Sequence, residues 1–255
     1  MATVREIYSA LEALIPRELS APWDNDGLMV CADGDAEVKT VLLALDATAA
    51  VCAEGAKYDL IVTHHPLLFR KLGEVTEDFF VSKKVIDLIR SRTAVMSFHT
   101  RFDAMDGGMN DILANKLGLT SVEKFGDAES PTLGRIGEIA PISADALSEK
   151  IKKTLGAPFV LCADTGKPIK KLAVCGGDGG DFILPAKAAG ADALLTGRAG
   201  YNRAVDAIDS GVTVIEAGHY YTEAIFAEYF EAFFKTHYPE ITVTRSSRGC
   251  AIKAI

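Results

Sequence analysis

Short runs of unbroken apolar residues, separated by stretches of helical periodicity, constrain this chain more than any other feature. Val41-Leu42-Leu43-Ala44-Leu45, Leu60-Ile61-Val62 and Ala94-Val95-Met96 contain no polar residue to turn toward water. Each therefore reads as a strand buried on both faces. Residues 47–57 and 80–92, which separate them, carry helical spacing. The second half repeats the rhythm, with strands expected at 172–175, 193–195 and 212–215. Helices are expected at 183–189, 201–208, 109–117 and 220–234. An amphipathic helix opens the chain, written by Val4, Ile7, Leu11, Leu14 and Ile15 and stopped by Pro16. Strands that are apolar on both sides need helices on both sides. The expectation is an α/β protein: two α/β domains with helices packed on mixed sheets.

Length supports two domains, since 255 residues is somewhat under twice the ~150 of a typical domain. The polar stretch Phe125-Gly126-Asp127-Ala128-Glu129-Ser130-Pro131 is the best linker, giving domains 1–125 and 126–255. Tail strands at 241–244 and 251–253 are free to pair with either. Hydrophobic residues at 49% and charged residues at 24% match a folded globular chain. A net charge of −8 argues against a nucleic-acid partner, which normally meets a basic face. No apolar run approaches the ~18 residues of a membrane span. Five scattered cysteines, Cys31, Cys52, Cys162, Cys175 and Cys250, form no CxxC pair and no even framework. The first ten residues include Arg5 and Glu6 and lack a signal-peptide core. The expectation from these features is a soluble protein of a reducing compartment, the cytoplasm.

Three clusters carry chemistry, and each follows an expected strand. The first is Thr63-His64-His65-Pro66. Neighbouring side chains on an extended segment point to opposite faces, so the two imidazoles are expected to serve different ions or different surroundings. A packed or surface pair is the plain alternative. The second is His99-Thr100-Arg101-Phe102-Asp103, at the carboxyl end of a strand, the edge where open α/β sheets bind ligands. His99 and Asp103 can aim at one cavity there, or Asp103 can cap the helix that follows Gly107-Gly108. The third is Gly218-His219-Tyr220-Tyr221-Thr222-Glu223. His219 and Glu223 lie one helical turn apart on one face, and Gly218 permits the tight turn into that helix. The alternative for Glu223 is a carboxylate favoured near a helix N-terminus, which leaves His219 unexplained.

Four of the five histidines thus sit at strand ends with Asp103 and Glu223 beside them. Imidazole plus carboxylate without thiolate suits Zn, Mn, Fe or a similar divalent ion. So many ligands exceed one open site and suit two metals about 3.5–4 Å apart.

The residues carrying this chemistry resemble the Nif-three-like family, which includes proteins called GTP cyclohydrolase 1 type 2. The resemblance runs through Trp23-Asp24-Asn25-Asp26-Gly27-Leu28, Thr63-His64-His65-Pro66-Leu67, His99-Thr100-Arg101-Phe102-Asp103 and Gly107-Gly108-Met109-Asn110-Asp111. It continues through Gly190-Ala191-Asp192, Leu195-Thr196-Gly197 and Gly218-His219-Tyr220-Tyr221-Thr222-Glu223. It implies a dinuclear metal centre in a cleft between two α/β domains, with His64, His65, Asp103, His219 and Glu223 as ligands. Glu223 would bridge the ions, His65 and Asp103 completing one site and His64 and His219 the other. A ring-shaped homohexamer is also implied, without the inserted middle domain of longer members. Two positions depart from the family pattern. Arg101 stands where Asn is frequent, and Thr196-Gly197-Arg198 with Tyr201-Asn202 replaces Thr-Gly-Asp with Tyr-His. Arg101 and Arg198 are expected either to add positive charge near the site or to pair with a neighbouring Asp at the surface.

The activity this implies is metal-dependent hydrolysis, with hydroxide held by the metals attacking an electrophilic carbon. In the family reading that carbon lies in the imidazole ring of the guanine of GTP, making a nucleotide the expected substrate. His99 is the candidate for proton transfer, or for orienting a ligand from behind. Gly176-Gly177-Asp178-Gly179-Gly180 is either a backbone cradle for phosphate or a flexible turn. The rival reading is a non-enzymatic metal-binding scaffold or protein-interaction ring.

Overall fold

A computed structural model describes residues 2–252. Its first half runs α1 (Val4–Leu14), β1 (Gly27–Val30), β2 (Thr40–Ala44), α2 (Ala49–Gly55), β3 (Leu60–Thr63), α3 (Phe80–Ser91), β4 (Ala94–Ser97), α4 (Thr100–Ala104) and α5 (Met109–Leu117). There follow β5 (Thr120–Phe125), β6 (Gly134–Ile142), α6 (Ala144–Leu155), β7 (Leu161–Ala163), β8 (Ile169–Cys175), α7 (Ile183–Ala188) and β9 (Ala193–Thr196). The last elements are α8 (Tyr201–Ser210), β10 (Thr213–Glu216), α9 (His219–Glu223), α10 (Phe226–His237) and β11 (Thr242–Arg245). The chain divides into two compact units, one built from Met1–Phe102 with Phe226–Ala251, the other from Asp103–Ile225.

The first unit holds a five-stranded sheet in the order β1-β4-β3-β2-β11. β4, β3, β2 and β11 run parallel, and β1 closes one edge antiparallel to β4. Parallel neighbours need crossover connections, and α2 and α3 supply them. Val41, Leu42, Leu43, Leu60, Ile61, Val62 and Val95 are all buried, the consequence of helices on both faces. On α10, Phe226, Phe230, Phe233 and Phe234 are buried, and Phe230 packs against Phe98 and Phe102.

Register places the chemistry. Thr63 pairs with Ala44 on one side and Ser97 on the other. The residues that follow these three strands, 45–46, 64–65 and 98–99, therefore leave the sheet at one edge.

The second unit holds a six-stranded sheet ordered β5-β6-β8-β9-β10-β7. Its centre, β8-β9-β10, is parallel and its flanks are antiparallel. Cys175 pairs with Thr196, and Thr196 with Glu216. The glycine-rich turns after these three strands therefore share one edge as well.

Both sheets are mixed and clad with helices, as expected. Several details differ from the sequence reading. The polar stretch read as a linker is the connection between β5 and β6, where Phe125 pairs with Gly134. Its composition reflects a surface loop within one sheet, and the division between units falls at Phe102–Asp103 instead. The helix expected over 220–234 is two helices, α9 and α10, separated by a turn at Ala224 and Ile225. Of the expected tail strands, 241–244 corresponds to β11, paired with β2. Within 251–253, Ala251 and Ile252 form a bend, and residue 253 lies outside the described residues.

Candidate metal centre

In the first unit, His64, His65 and His99 converge. Their ring centroids lie 5.1–5.6 Å apart, and each offers a nitrogen within 4.8 Å of one from each of the others. The expectation that His64 and His65 face opposite ways is overturned. β3 ends at Thr63 and the pair sits in a bend, so strand alternation no longer governs them.

Each imidazole is held from behind. His64 is fully buried and places Nδ1 2.8 Å from the Phe98 carbonyl. His65 Nδ1 lies 2.7 Å from Asp46 Oδ1, and His99 Nδ1 lies 2.9 Å from Asp24 Oδ1. Carbonyl and carboxylate oxygens only accept, so each Nδ1 carries the proton and donates it. In the neutral ring Nε2 then keeps its lone pair, the arrangement that metal-binding imidazoles use. Burial alone would raise the Asp24 carboxyl. The hydrogen bond from His99, the charge of that ring when protonated, and the Thr100 hydroxyl and N–H outweigh burial and bring it down to about 2.

Beneath His99 lies the explanation of Arg101. Its side chain is fully buried, with Nε donating to Asp26 Oδ2 at 2.8 Å and Nη1 to the Ile15 carbonyl at 3.0 Å. Nη1 also donates to Glu12, which accepts from the Tyr8 hydroxyl at 2.8 Å. The guanidinium lies 4.7 Å from the Phe98 ring centre. Burial works against this charge, but Asp26, Glu12 and Tyr8 hold it above its ordinary value. Arg101 therefore ties α1 to the segment beneath the imidazoles and adds no exposed charge to the site. The pairing alternative holds, although inside the protein and not at its surface. Arg198 is exposed, and its backbone N–H donates to the Gly177 carbonyl at 2.9 Å.

In the second unit, Gly218 adopts φ +86° and turns the chain from β10 into α9. His219 Nε2 and Glu223 Oε2 then meet at 2.9 Å, one turn apart as the spacing predicted. Glu223 is 4% exposed. Opposite it, Gly177 has φ +67°, and a Cβ there would stand 2.2 Å from Glu223 Oε1. Three N–H groups of the glycine-rich turn are occupied: Gly176 donates to Asn110 Oδ1, Gly177 to Thr222 Oγ1 and Gly179 to Thr196 Oγ1. At these three positions the turn spends its N–H groups on the protein's own side chains and offers none to a phosphate. It is a packed support against which Glu223 rests, and not a flexible turn either.

Asp103 lies on α4 and is nearly buried, its carbonyl accepting from Asn110 Nδ2 at 3.4 Å. Burial drives the Cys175 thiol far up, and Asp103 and Glu223 push it further. Cys175 therefore stays a neutral thiol, and the donor set is imidazole and carboxylate alone. That set, with tautomers fixed by acceptors, fits a borderline divalent ion.

Sequence reasoning missed Asp24 and Asp46 as supports of His99 and His65. Asp46 had a usable signal in its place just past β2, on the edge where the histidines emerge.

An α/β protein of two mixed sheets, with imidazoles and carboxylates gathered where parallel strands end, is the class that fold and side chains define. A profile of the DUF34/NIF3 family (NGG1p interacting factor 3) matches residues 2–248, and the chain belongs to that family. Among relatives, a Clostridium perfringens protein named GTP cyclohydrolase 1 type 2 homolog is 34% identical over 227 residues, 86% of each chain. A Helicobacter pylori protein named GTP cyclohydrolase 1 type 2 is 33% identical over 227 residues, 89% of each. A Bacillus cereus protein related to NIF3 has a TM-score of 0.88 at 20% identity, covering 100% of this chain and 99% of its own. A Staphylococcus aureus hypothetical protein gives 0.88 at 24%, covering 99% of each. These two structures speak to the fold. Among the described residues no helix is long and apolar enough to cross a membrane.

Proposed function

We propose that the protein is a hydrolase using two divalent ions held by His64, His65, Asp103, His219 and Glu223, and that its substrate is GTP or a related purine nucleotide. The observation that carries this reading is the convergence of His64, His65 and His99, with Nδ1 of His64 and His65 held against an acceptor behind each ring. The names of relatives at 33–34% identity support the cyclohydrolase assignment. Bound divalent ions would supply Lewis acidity and lower the pKa of water.

The chain's own residues do the rest. Phe98 and Asp46 orient the His64 and His65 rings. Gly177 keeps the Glu223 carboxylate in place by leaving room for it. His99, with its proton on Nδ1 toward Asp24, keeps Nε2 able to accept a proton from a reacting group. The test is metal content of the purified protein with GTP turnover, compared with Glu223→Ala. Loss of both ions and of turnover is expected, and a full metal complement in the variant refutes the bridging role.

One observation favours a second reading, the interaction ring. In the second unit, β7 and α8 line an open apolar cavity of 370 Å³ that includes Leu161, Tyr201, Val205 and Ile208. All four side chains are substantially exposed. Bound metal without turnover of GTP or other nucleotides, in a protein that light scattering shows to be hexameric, supports the scaffold instead.

A further inference from the structure

Trp23 is the chain's one tryptophan and is 52% exposed, and Phe69 is 44% exposed. Apolar rings left in water are normally loosely held, yet this pair is pinned. Asp24, next to Trp23, has a side chain of zero exposure and accepts from His99 Nδ1 and the Thr100 backbone N–H. Asn25 donates through Nδ2 to the Leu68 carbonyl, tying down the segment that carries Phe69. Trp23 and Phe69 meet edge to face, 6.1 Å apart at 72°. Each also meets His99 edge to face at 6.2 Å. Two aromatic rings are thus presented beside the imidazoles with much of their surface still open.

From this we infer that Trp23 and Phe69 form the binding wall for the planar base of a purine nucleotide, stacking it next to His64, His65 and His99. The inference rests on the nucleotide reading above only for the identity of the base. The wall itself follows from exposure, anchoring and ring geometry. A planar heteroaromatic ring has a π-face that matches an indole. Two side chains provide far less area than the roughly 800 Å² per partner of a stable protein interface, so a small ligand is the occupant that fits. Arg70 and Lys71 directly follow Phe69 and are exposed, providing cations for the phosphates of such a ligand.

A single tryptophan makes the test direct. Guanosine, GTP, ribose 5-phosphate and inorganic triphosphate are titrated against the full-length protein while Trp23 emission is followed. Guanosine and GTP are expected to quench it, whereas ribose 5-phosphate and inorganic triphosphate leave it unchanged. In Phe69→Ala, with the fluorophore retained, the guanosine Kd should rise about five- to a hundredfold, the range for loss of one stacking partner. By calorimetry Trp23→Phe should keep most of the GTP affinity, and Trp23→Ala should lose a similar factor. Both rings are half exposed, so thermal unfolding should show these variants intact. The inference is overturned if guanosine leaves the emission unchanged at millimolar concentration, or if inorganic triphosphate reproduces the whole response. A wild-type GTP Kd in Trp23→Ala overturns it as well. Stacking without GTP turnover would sink the hydrolase reading alone. Turnover with an unchanged KM in Trp23→Ala would sink the base wall alone.

Discussion

Replacing Arg101 tests whether its charge serves the fold or the chemistry. Arg101→Met keeps much of the side-chain volume but strands Asp26, which is 2% exposed, beside an apolar neighbour. Removing one member of a buried ion pair costs about 3–5 kcal/mol, mostly the penalty of the orphaned charge. Asp26 keeps two donors, Ser20 Oγ on Oδ1 and the His99 N–H on Oδ2, each at 3.1 Å. Glu12, with 30% of its side chain exposed, can turn toward water. The cost should therefore fall at the low end, about 3 kcal/mol, equivalent to a Tm drop of roughly 6–12 °C for a chain of this size. The assay is urea unfolding of chelator-treated protein, so that bound metal does not mask the change. Adding Asp26→Asn removes the stranded charge and should recover more than half of the loss. At a temperature where Arg101→Met is folded, its metal content should match the wild type. A loss under 1 kcal/mol, or a double variant no better than the single one, refutes the buried-network account.

The other tests follow from single contacts. In Gly177→Ala the new Cβ meets Glu223 Oε1 at 2.2 Å in a backbone of φ +67°. The carboxylate must move by more than 1 Å to regain ordinary contact, and the left-handed conformation adds about 1–2 kcal/mol. Weaker zinc binding by calorimetry and a lower Tm are expected together, and unchanged zinc affinity counts against the support role. Asp24 falls from 3.8 unfolded to about 2 folded, so it stabilises the fold by about 2 kcal/mol above pH 4. That contribution disappears as pH falls from about 4 to about 2. The stability gap between wild type and Asp24→Asn should close over that window in urea titrations, and a constant gap contradicts the linkage.

The parts of the fold legible in the sequence were those where burial leaves one kind of residue. β2, β3, β4 and β9 are buried along nearly their whole length, and their apolar runs marked them to within a residue or two. β5 escaped notice because five of its six residues are exposed, so Thr120-Ser121-Val122-Glu123-Lys124 offers no apolar run. β7 is three residues at a sheet edge. β6 hides for another reason: its buried stretch includes Gly134, Gly137 and Arg135, whose guanidinium is satisfied by Asp111 and the carbonyls of Ala104 and Met105. Periodicity registers hydrophobicity, and a strand buried through glycine and a paired arginine carries little of it.

The site shows the same limit at the scale of single side chains. Residue type and position past a strand were enough to find the histidines, because parallel strands in register deliver their following residues to one edge. Direction was not legible, since it depends on where a strand stops. Had β3 run two residues further, His64 and His65 would lie on opposite faces. Ending at Thr63, it lets both rings reach His99. Thr63 is itself fixed there by its hydroxyl, 2.8 Å from both Ser97 Oγ and the His65 carbonyl. A hydroxyl that bonds both the next strand and the bend after its own couples the end of β3 to the placement of the imidazoles. The geometry of the cluster is thus set one residue before the histidines begin, by a threonine with no chemistry of its own.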